Sequence, residues 1–352
     1  MDSKVRALIV DDSAYMRVVL KDMLESDPGI EVISVAKDGL EAVEKTKSMS
    51  PDVVLLDIQM PKMDGIATLH RIMKENPTRV IMLSAMDKKD DQLPLRALEM
   101  GAVDFISKPS GPVSIDIVNF TDKIIEVVKT AASASIDALR DTRASSVHKI
   151  TPLRKQAPQK EYKSIVIAAS TGGPRALESI FAALPRELPA PIFIVQHIPE
   201  DFSESFAKRL DAAKGPKVVL AFDGQRVERG VAYLAPGGRH LKVEWKGAST
   251  MLVRLDDSGP VNFVKPSADV LFSSAAGCRA CRTLAIVLTG MGSDGTRGAM
   301  AIRRAGGTVI VQDERTSIVF GMPRAVIDSG SADQILPLED IPKAIVEFLE
   351  EG

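Results

Sequence analysis

Two cysteines in 352 residues, Cys278 and Cys281, are too few to build a disulfide framework. A zinc site would need two further ligands beside this C-x-x-C, and no partner pair exists. Two buried small side chains are the simpler reading. A formal net charge of −2 offers no electrostatic reason to expect nucleic acid. The second half contains no basic helix-turn-helix that could serve as a DNA-binding output. No apolar run is long enough to span a bilayer, so direct membrane insertion is not expected. The N-terminal stretch MDSKVRALIVDDS has too short an apolar segment for a signal peptide and runs straight into two acids. These absences together predict a cytoplasmic protein. Only four histidines are present, which narrows the choice for any imidazole chemistry.

What is there has ordinary composition: 45% hydrophobic and 26% charged residues, in a length that suits two domains. Residues 1–130 alternate short apolar runs (5–10, 30–36, 52–57, 79–83, 102–106) with helical stretches (13–26, 38–49, 64–75, 88–100, 114–130). Five such units make a doubly wound parallel sheet. Over residues 131–161 the periodicity dissolves into Ser, Pro, Lys, Arg and Gln, which predicts an interdomain linker, helical at most at its start. Its basic residues suit simple solvation. From 162 to 352 a second α/β pattern follows. Its strand candidates are 164–169, 191–196, 217–221, 231–235, 240–246, 250–255, 284–289, 308–312 and 333–336. Helical stretches fall near 174–184, 201–213, 267–277, 296–305, 322–329 and 338–350. The 240–255 piece predicts a β-hairpin, and the rest a second mostly parallel sheet.

In the first domain, Asp11 and Asp12 stand at one strand tip, Asp57 at another, Ser84 at a third and Lys108-Pro109 at a fourth. Parallel strands gather their C-termini along one edge, where ligands bind. Three carboxylates there repel one another unless a hard cation such as Mg²⁺ joins them. A carboxylate so placed can accept a phosphoryl group, with the metal and Lys108 stabilising charge on its oxygens. The segments LIVDDS, VVLLDIQMPKMDG, MLSA and FISKP resemble the receiver domain of two-component response regulators, a flavodoxin-like fold. That resemblance implies Asp57 as phospho-acceptor. It implies Asp12 and Asp57 as metal ligands with the Gln59 carbonyl, and Asp11 on a metal-bound water. It further implies Ser84 and Phe105 as the switch pair, Lys108 as the phosphate contact, and a cis bond before Pro109.

In the second domain, the apolar run 165–169 ends at Ser170, followed by Thr171-Gly172-Gly173-Pro174. The two glycines let backbone approach a substrate, and Pro174 suits a first helical position. A serine at such a turn has N–H donors and a helix dipole beside it, which suits a developing oxyanion. The same five residues also suit a phosphate-binding turn or a plain helix cap. A serine nucleophile needs a base. His70 lies on a first-domain helix, His148 in the linker, and His240 at the start of the hairpin. His197 directly follows the strand 191–196 and so shares the edge with Ser170. An orienting acid should come from a third strand tip, and Asp294 follows the run 284–289.

The same glycine turn has a second reading. Gly290, Gly292 and Gly295 spell G-x-G-x-x-G, and Asp313 follows about 20 residues on, as in a dinucleotide site. An NAD-binding oxidoreductase domain is therefore the alternative. Against it, Asp294 lies inside the turn, where a carboxylate would oppose a pyrophosphate, and such a fingerprint normally opens its domain.

The segments ASTGGP, VQHIP, YLAPGGRHL, KPSADVLF, VLTGMGSDGTRG and VQDERTSIVFGMPRAVI resemble the catalytic domain of the CheB family of chemotaxis protein-glutamate methylesterases. With the receiver, the resemblance spans nearly the whole chain in the same domain order. It implies a Rossmann-like α/β domain with a Ser170–His197–Asp294 triad. The Met291 N–H would be an oxyanion donor, and Thr171 a neighbour of the nucleophile. It implies demethylation of glutamate methyl esters, and deamidation of glutamines, on the cytoplasmic helices of chemoreceptors. A chemotaxis histidine kinase would be the phosphodonor. Mg²⁺ at the receiver would be the one cofactor, with none in the esterase site.

Overall fold

The runs VVLLD (53–57) and IVIAA (165–169) are buried along their whole length. A strand covered on both faces by helices reads as a continuous apolar run, and both sheets are built this way. The computed structural model describes residues 4–84, 92–108, 116–140, 162–246, 250–277 and 281–351. The chain divides into two units, Met1–Arg140 and Asp141–Gly352.

The first unit runs β1 (Val5–Val10), α1 (Ala14–Glu25), β2 (Ile30–Ala36), α2 (Gly39–Met49), β3 (Val53–Asp57) and α3 (Gly65–Glu75). It continues through β4 (Arg79–Ser84), α4 (Leu93–Glu99), β5 (Asp104–Ser107), α5 (Asp116–Ala132) and α6 (Ile136–Arg140). The strands form one parallel sheet in the order β2-β1-β3-β4-β5, as expected for a doubly wound domain. Each of the first three helices opens on an oxygen side chain that accepts from its first turn. Ser13 accepts from Met16 N, Asp38 from Glu41 N and Asp64 from Ala67 N.

The linker was expected to begin at 131, but the first unit extends to Arg140. The α6 turn is pinned by buried Leu139, and the Arg79 guanidinium donates to the carbonyl of buried Ala134. The fourth helix covers Leu93–Glu99 among the described residues, and the expected start at 88 lies outside them. Residues 141–161 of the linker, with His148, also lie outside them, as does the bond before Pro109.

The second unit opens with β6 (Tyr162–Ala169), α7 (Gly173–Ala183), β7 (Ile192–Gln196), α8 (Ser203–Ala212), β8 (Lys217–Leu220) and β9 (Val231–Leu234). The antiparallel hairpin β10 (His240–Lys246) and β11 (Thr250–Asp256) follows, then α9 (Ala268–Ala276) and β12 (Cys281–Val287). It closes with α10 (Thr296–Arg304), β13 (Thr308–Gln312), α11 (Met322–Asp328), β14 (Gln334–Leu336) and α12 (Ile341–Glu350). Seven strands form a parallel sheet in the order β14-β13-β12-β6-β7-β9-β8. α9 ends at Ala276, and Cys281 opens β12 as a partly buried side chain packed against the core, in keeping with a packing role.

The sheet order places the chemistry. The chain enters at β6 and winds one way through β7 and the other way through β12. The crevice beyond the β6 tip is thus a topological switch point, where ligands bind in open α/β sheets. Ser170, His197 and Asp294 all follow these three strands.

Candidate active site

In the first unit, Asp11, Asp12 and Asp57 each present a carboxylate oxygen, all within 4.8 Å of one another. Asp11 and Asp57 are buried, whereas Asp12 is exposed. The Lys108 ammonium lies 2.8 Å from both Asp11 and Asp57. Burial pushes the Asp57 carboxyl above its ordinary value, although Lys108 pulls the other way. Burial works against the charge of Lys108, but its bonds to Asp11 and Asp57 hold it above the usual lysine range. Three carboxylates against one ammonium leave a net negative, all-oxygen donor set, which fits a hard divalent cation such as Mg²⁺. Gln59 sits two residues beyond Asp57, its N–H donating to Asp57 Oδ1 at 3.4 Å. Ser84 closes β4, and its carbonyl accepts from Lys108 N at 2.7 Å. Phe105 lies on the adjacent strand β5, and both side chains are buried. The expected receiver residues therefore gather at one sheet edge.

In the second unit, register does the same work. Ala169 pairs with Gln196 across β6 and β7, and His197 N donates to the Ala169 carbonyl at 3.1 Å. Ser170 N donates to the Thr289 carbonyl at 3.1 Å, on the β12 side. The nucleophile candidate is thus held between the two neighbouring strand ends. Gly172 adopts φ +78° in the turn that follows. At Gly173 a Cβ would meet Gln196 Oε1 at 2.1 Å, so the turn closes only without a side chain. The Gln196 amide Nε2 donates to the carbonyls of both Ser170 (2.9 Å) and His197 (3.1 Å). One side chain thereby ties the backbone of the candidate nucleophile to that of the candidate base.

His197 Nε2 lies 2.9 Å from Asp294 Oδ2. The carboxylate can only accept, so Nε2 carries a proton, and in the neutral ring the lone pair is on Nδ1. No hydrogen bond joins Ser170 to the imidazole among the described residues. Two members of the expected triad are in contact, and the third stands at the adjoining strand tip. Catalytic hydrogen bonds are often long before substrate binds.

Asp294 is 3% exposed, in a cradle built by a distant segment. Ala268 N and Asp269 N, the first N–H groups of α9, donate to its two oxygens at 2.6 and 3.2 Å. The hydroxyl of Ser267, the residue that begins that helix, donates at 2.7 Å, and Asn262 Nδ2 at 3.1 Å. Burial alone would raise the Asp294 pKa. The bonds from His197, Ser267 and Ala268 outweigh it and bring the group down to about 2. A helix N-terminus leaves orphan donors and a positive dipole end, which suits this anion. His240 supports the cradle from behind. Its Nδ1 accepts from Ser267 N and its Nε2 faces the Gly259 carbonyl, both at 3.0 Å, so the fully buried ring is neutral.

The glycine turn after β12 serves the same pocket. A Cβ on Gly290 would lie 2.7 Å from Ser170 Cβ. The Gly290 carbonyl accepts from Gly321 N and Met322 N at the start of α11, at 3.0 and 2.8 Å. This fixes the Gly290–Met291 peptide plane, with the Met291 N–H on the side away from α11. Thr171 is buried, and its carbonyl accepts from Thr289 Oγ1 at 2.9 Å.

The dinucleotide reading loses ground here. Asp294 fills the turn with a buried carboxylate already bonded to His197 and the α9 N-terminus. Asp313 closes on its own loop, accepting from Thr316 N and Oγ1. Neither acid is disposed toward a ribose or a pyrophosphate. Sequence reasoning missed Gln196, Asn262, Ser267 and His240. The one usable signal was Ser-x-Asp at 267–269, a helix-start pattern directly after a proline.

Residues 165–345 match the family model described as CheB methylesterase, and residues 7–117 match that of the response regulator receiver domain. A protein-glutamate methylesterase/protein-glutamine glutaminase of Pyrococcus abyssi is 44% identical over 349 residues, covering 99% of this chain and 94% of the relative. One of the same description from Geobacillus kaustophilus is 43% identical over 348 residues, covering 99% of each. Among solved structures, the CheB methylesterase catalytic domain of Thermotoga maritima is 43% identical with a TM-score of 0.51. It matches 53% of this chain and 98% of that domain. Full-length identity at this level, with both domains in the same order, places the chain in the CheB methylesterase family, in the form that carries a response regulator receiver domain ahead of the methylesterase domain.

Proposed function

We propose that this chain hydrolyses glutamate γ-methyl esters on the cytoplasmic helices of chemoreceptors, releasing methanol, and deamidates glutamines there by the same route. The observation that carries this reading is the His197–Asp294 pair at 2.9 Å beside the Ser170 turn, on the switch-point edge of the sheet. Ser170 Oγ attacks the γ-carbonyl while His197 Nδ1 takes its proton. The oxyanion is stabilised by backbone N–H donors, Met291 N–H among them, and by the N-terminus of α7. Collapse of the tetrahedral adduct breaks the ester C–O bond, and His197 returns its proton to the departing methoxide. Water then attacks the acyl-serine with His197 again as base, giving glutamate and free Ser170. With a glutamine substrate, ammonia leaves in place of methanol. Asp294 holds the imidazole tautomer and stabilises its cation.

The receiver supplies regulation. Asp57 accepts a phosphoryl group from a chemotaxis histidine kinase. Asp12, Asp57 and the Gln59 carbonyl, with Asp11 through a bound water, would hold a Mg²⁺ ion, which would supply charge neutralisation for the phosphoryl oxygens. Ser84, Phe105 and Lys108 then report the new charge. The test is methanol release from membranes bearing methylated receptors, with and without a small phosphodonor and Mg²⁺. The donor should stimulate release by the natural chain. In Asp57→Asn the ratio with and without donor should fall to one. Stimulation that survives in Asp57→Asn would show that regulation does not run through this carboxylate.

Gln196 gives a second expectation. Gln196→Leu keeps the side-chain size but removes both donors, freeing the Ser170 and His197 backbones from one another. A misplacement of this kind acts on the chemical step, so kcat should fall roughly 10- to 100-fold with KM little changed. A fall confined to KM would assign Gln196 to substrate binding.

A further inference from the structure

Phe263 is fully exposed, at 102% of its reference area, and is the most exposed large apolar side chain among the described residues. Its backbone is also unusual. Val261 and Val264 exchange both backbone hydrogen bonds, each at 3.1 Å, across a two-residue turn. The two central residues have positive φ, +52° at Asn262 and +63° at Phe263. This is the left-handed hairpin turn that favours Asn followed by Gly. Asn262 suits its position, but a bulky aromatic in the second place is a genuine outlier. Strain of this kind persists only where surrounding structure enforces it, and it concentrates at functional sites.

The enforcing contacts lead directly to the reaction centre. Asn262 Nδ2 donates to Asp294 Oδ1 at 3.1 Å and to Asp269 Oδ2 at 2.9 Å. Its Oδ1 accepts from the Arg297 guanidinium at 2.7 Å. The turn is therefore fastened to the acid that orients His197, and Phe263 is the next residue along. Held in an unfavourable conformation and fully exposed, this ring covers no apolar surface among the described residues of its own unit. Beside it the Arg297 guanidinium, 71% exposed, lies at the same rim, ion-paired to buried Asp269 Oδ2 at 3.4 Å with the rest of its surface toward solvent.

We propose that Phe263 is a substrate-docking residue. Its ring would pack on apolar side chains one helical turn from the modified glutamate, with Arg297 facing neighbouring acids of the same amphipathic helix. The occupant is thus a helical protein substrate. This inference rests on the function proposed above and names how that substrate is held.

The test compares two substrates in the full-length protein: membranes bearing methylated receptor, and N-acetylglutamate γ-methyl ester, which is too small to reach past the reacting groups. Phe263→Gly should lower kcat/KM on the receptor, through KM, by about ten-fold more than on the small ester. Phe263→Trp should recover most of the receptor loss. Phe263→Gly should also raise the melting temperature by a few degrees, because glycine accepts positive φ freely. Equal losses on both substrates, or no loss on either, overturn the docking role. Natural protein that cleaves the small ester but not the receptor overturns the substrate class, and protein that cleaves neither overturns the esterase reading itself.

Discussion

Ser170→Ala should reduce methanol release by roughly 10⁴- to 10⁶-fold, the scale at which removal of an attacking hydroxyl collapses acyl transfer to whatever the remaining donors supply. The same substitution should leave the fold intact. Ser170 is anchored through its backbone: N–H to Thr289, and carbonyl to Gly173 N and Gln196 Nε2. Its hydroxyl makes no hydrogen bond among the described residues, so alanine removes no such partner. The Cβ that fits against Gly290 is kept. Melting temperature and phosphorylation at Asp57 should both match the natural chain. Intact protein mass on brief exposure to substrate should show an acyl adduct in the natural chain and none in the variant. A variant that folds normally and still turns over would transfer the nucleophile role elsewhere.

Much of this site was legible in the sequence because parallel sheets write their strands plainly. Val53–Asp57 and Ile165–Ala169 are unbroken apolar runs, and the residue at or after each tip sits where ligands bind. Asp57, Ser170 and His197 are therefore legible as strand-tip residues from the sequence. The material around Asp294 could not. Its cradle comes from residues 262–269, a tight turn and a helix start whose relation to 294 is purely tertiary. Gln196 was hidden differently, as the last residue of an apolar strand, where a polar side chain reads as an ordinary strand end. The end of the first unit was misplaced at 130. The five-residue α6 is too short to carry a periodic signal, and it is held by Leu139 and the Arg79–Ala134 bond.

Asp294→Asn should cost about 10³- to 10⁴-fold in kcat, with a stability loss that depends on pH. The carboxylate accepts from His197, Ala268, Ser267, Asn262 and Asp269. An amide offers one accepting oxygen and turns an NH₂ toward donors at the other position. If that NH₂ faces His197, the imidazole must move its proton to Nδ1, the nitrogen that should receive the serine proton, and the Ala268 N–H is left unpaired. If the amide is reversed, the NH₂ opposes Asp269 N–H and the Asn262 amide instead. Both orientations lose the charge that stabilises the imidazolium. The folded-state pKa of Asp294, about 2, lies below the ordinary 3.8, so its ionised form stabilises the fold. That contribution, on the order of 2 kcal/mol, is complete above about pH 4 and is lost as pH falls through the folded value. The gap in urea midpoint between natural protein and Asp294→Asn should therefore be widest near neutrality and shrink below about pH 4. A gap that stays constant across this range would mean that Asp294 is not held ionised by its cradle, and the orienting role would fall with it.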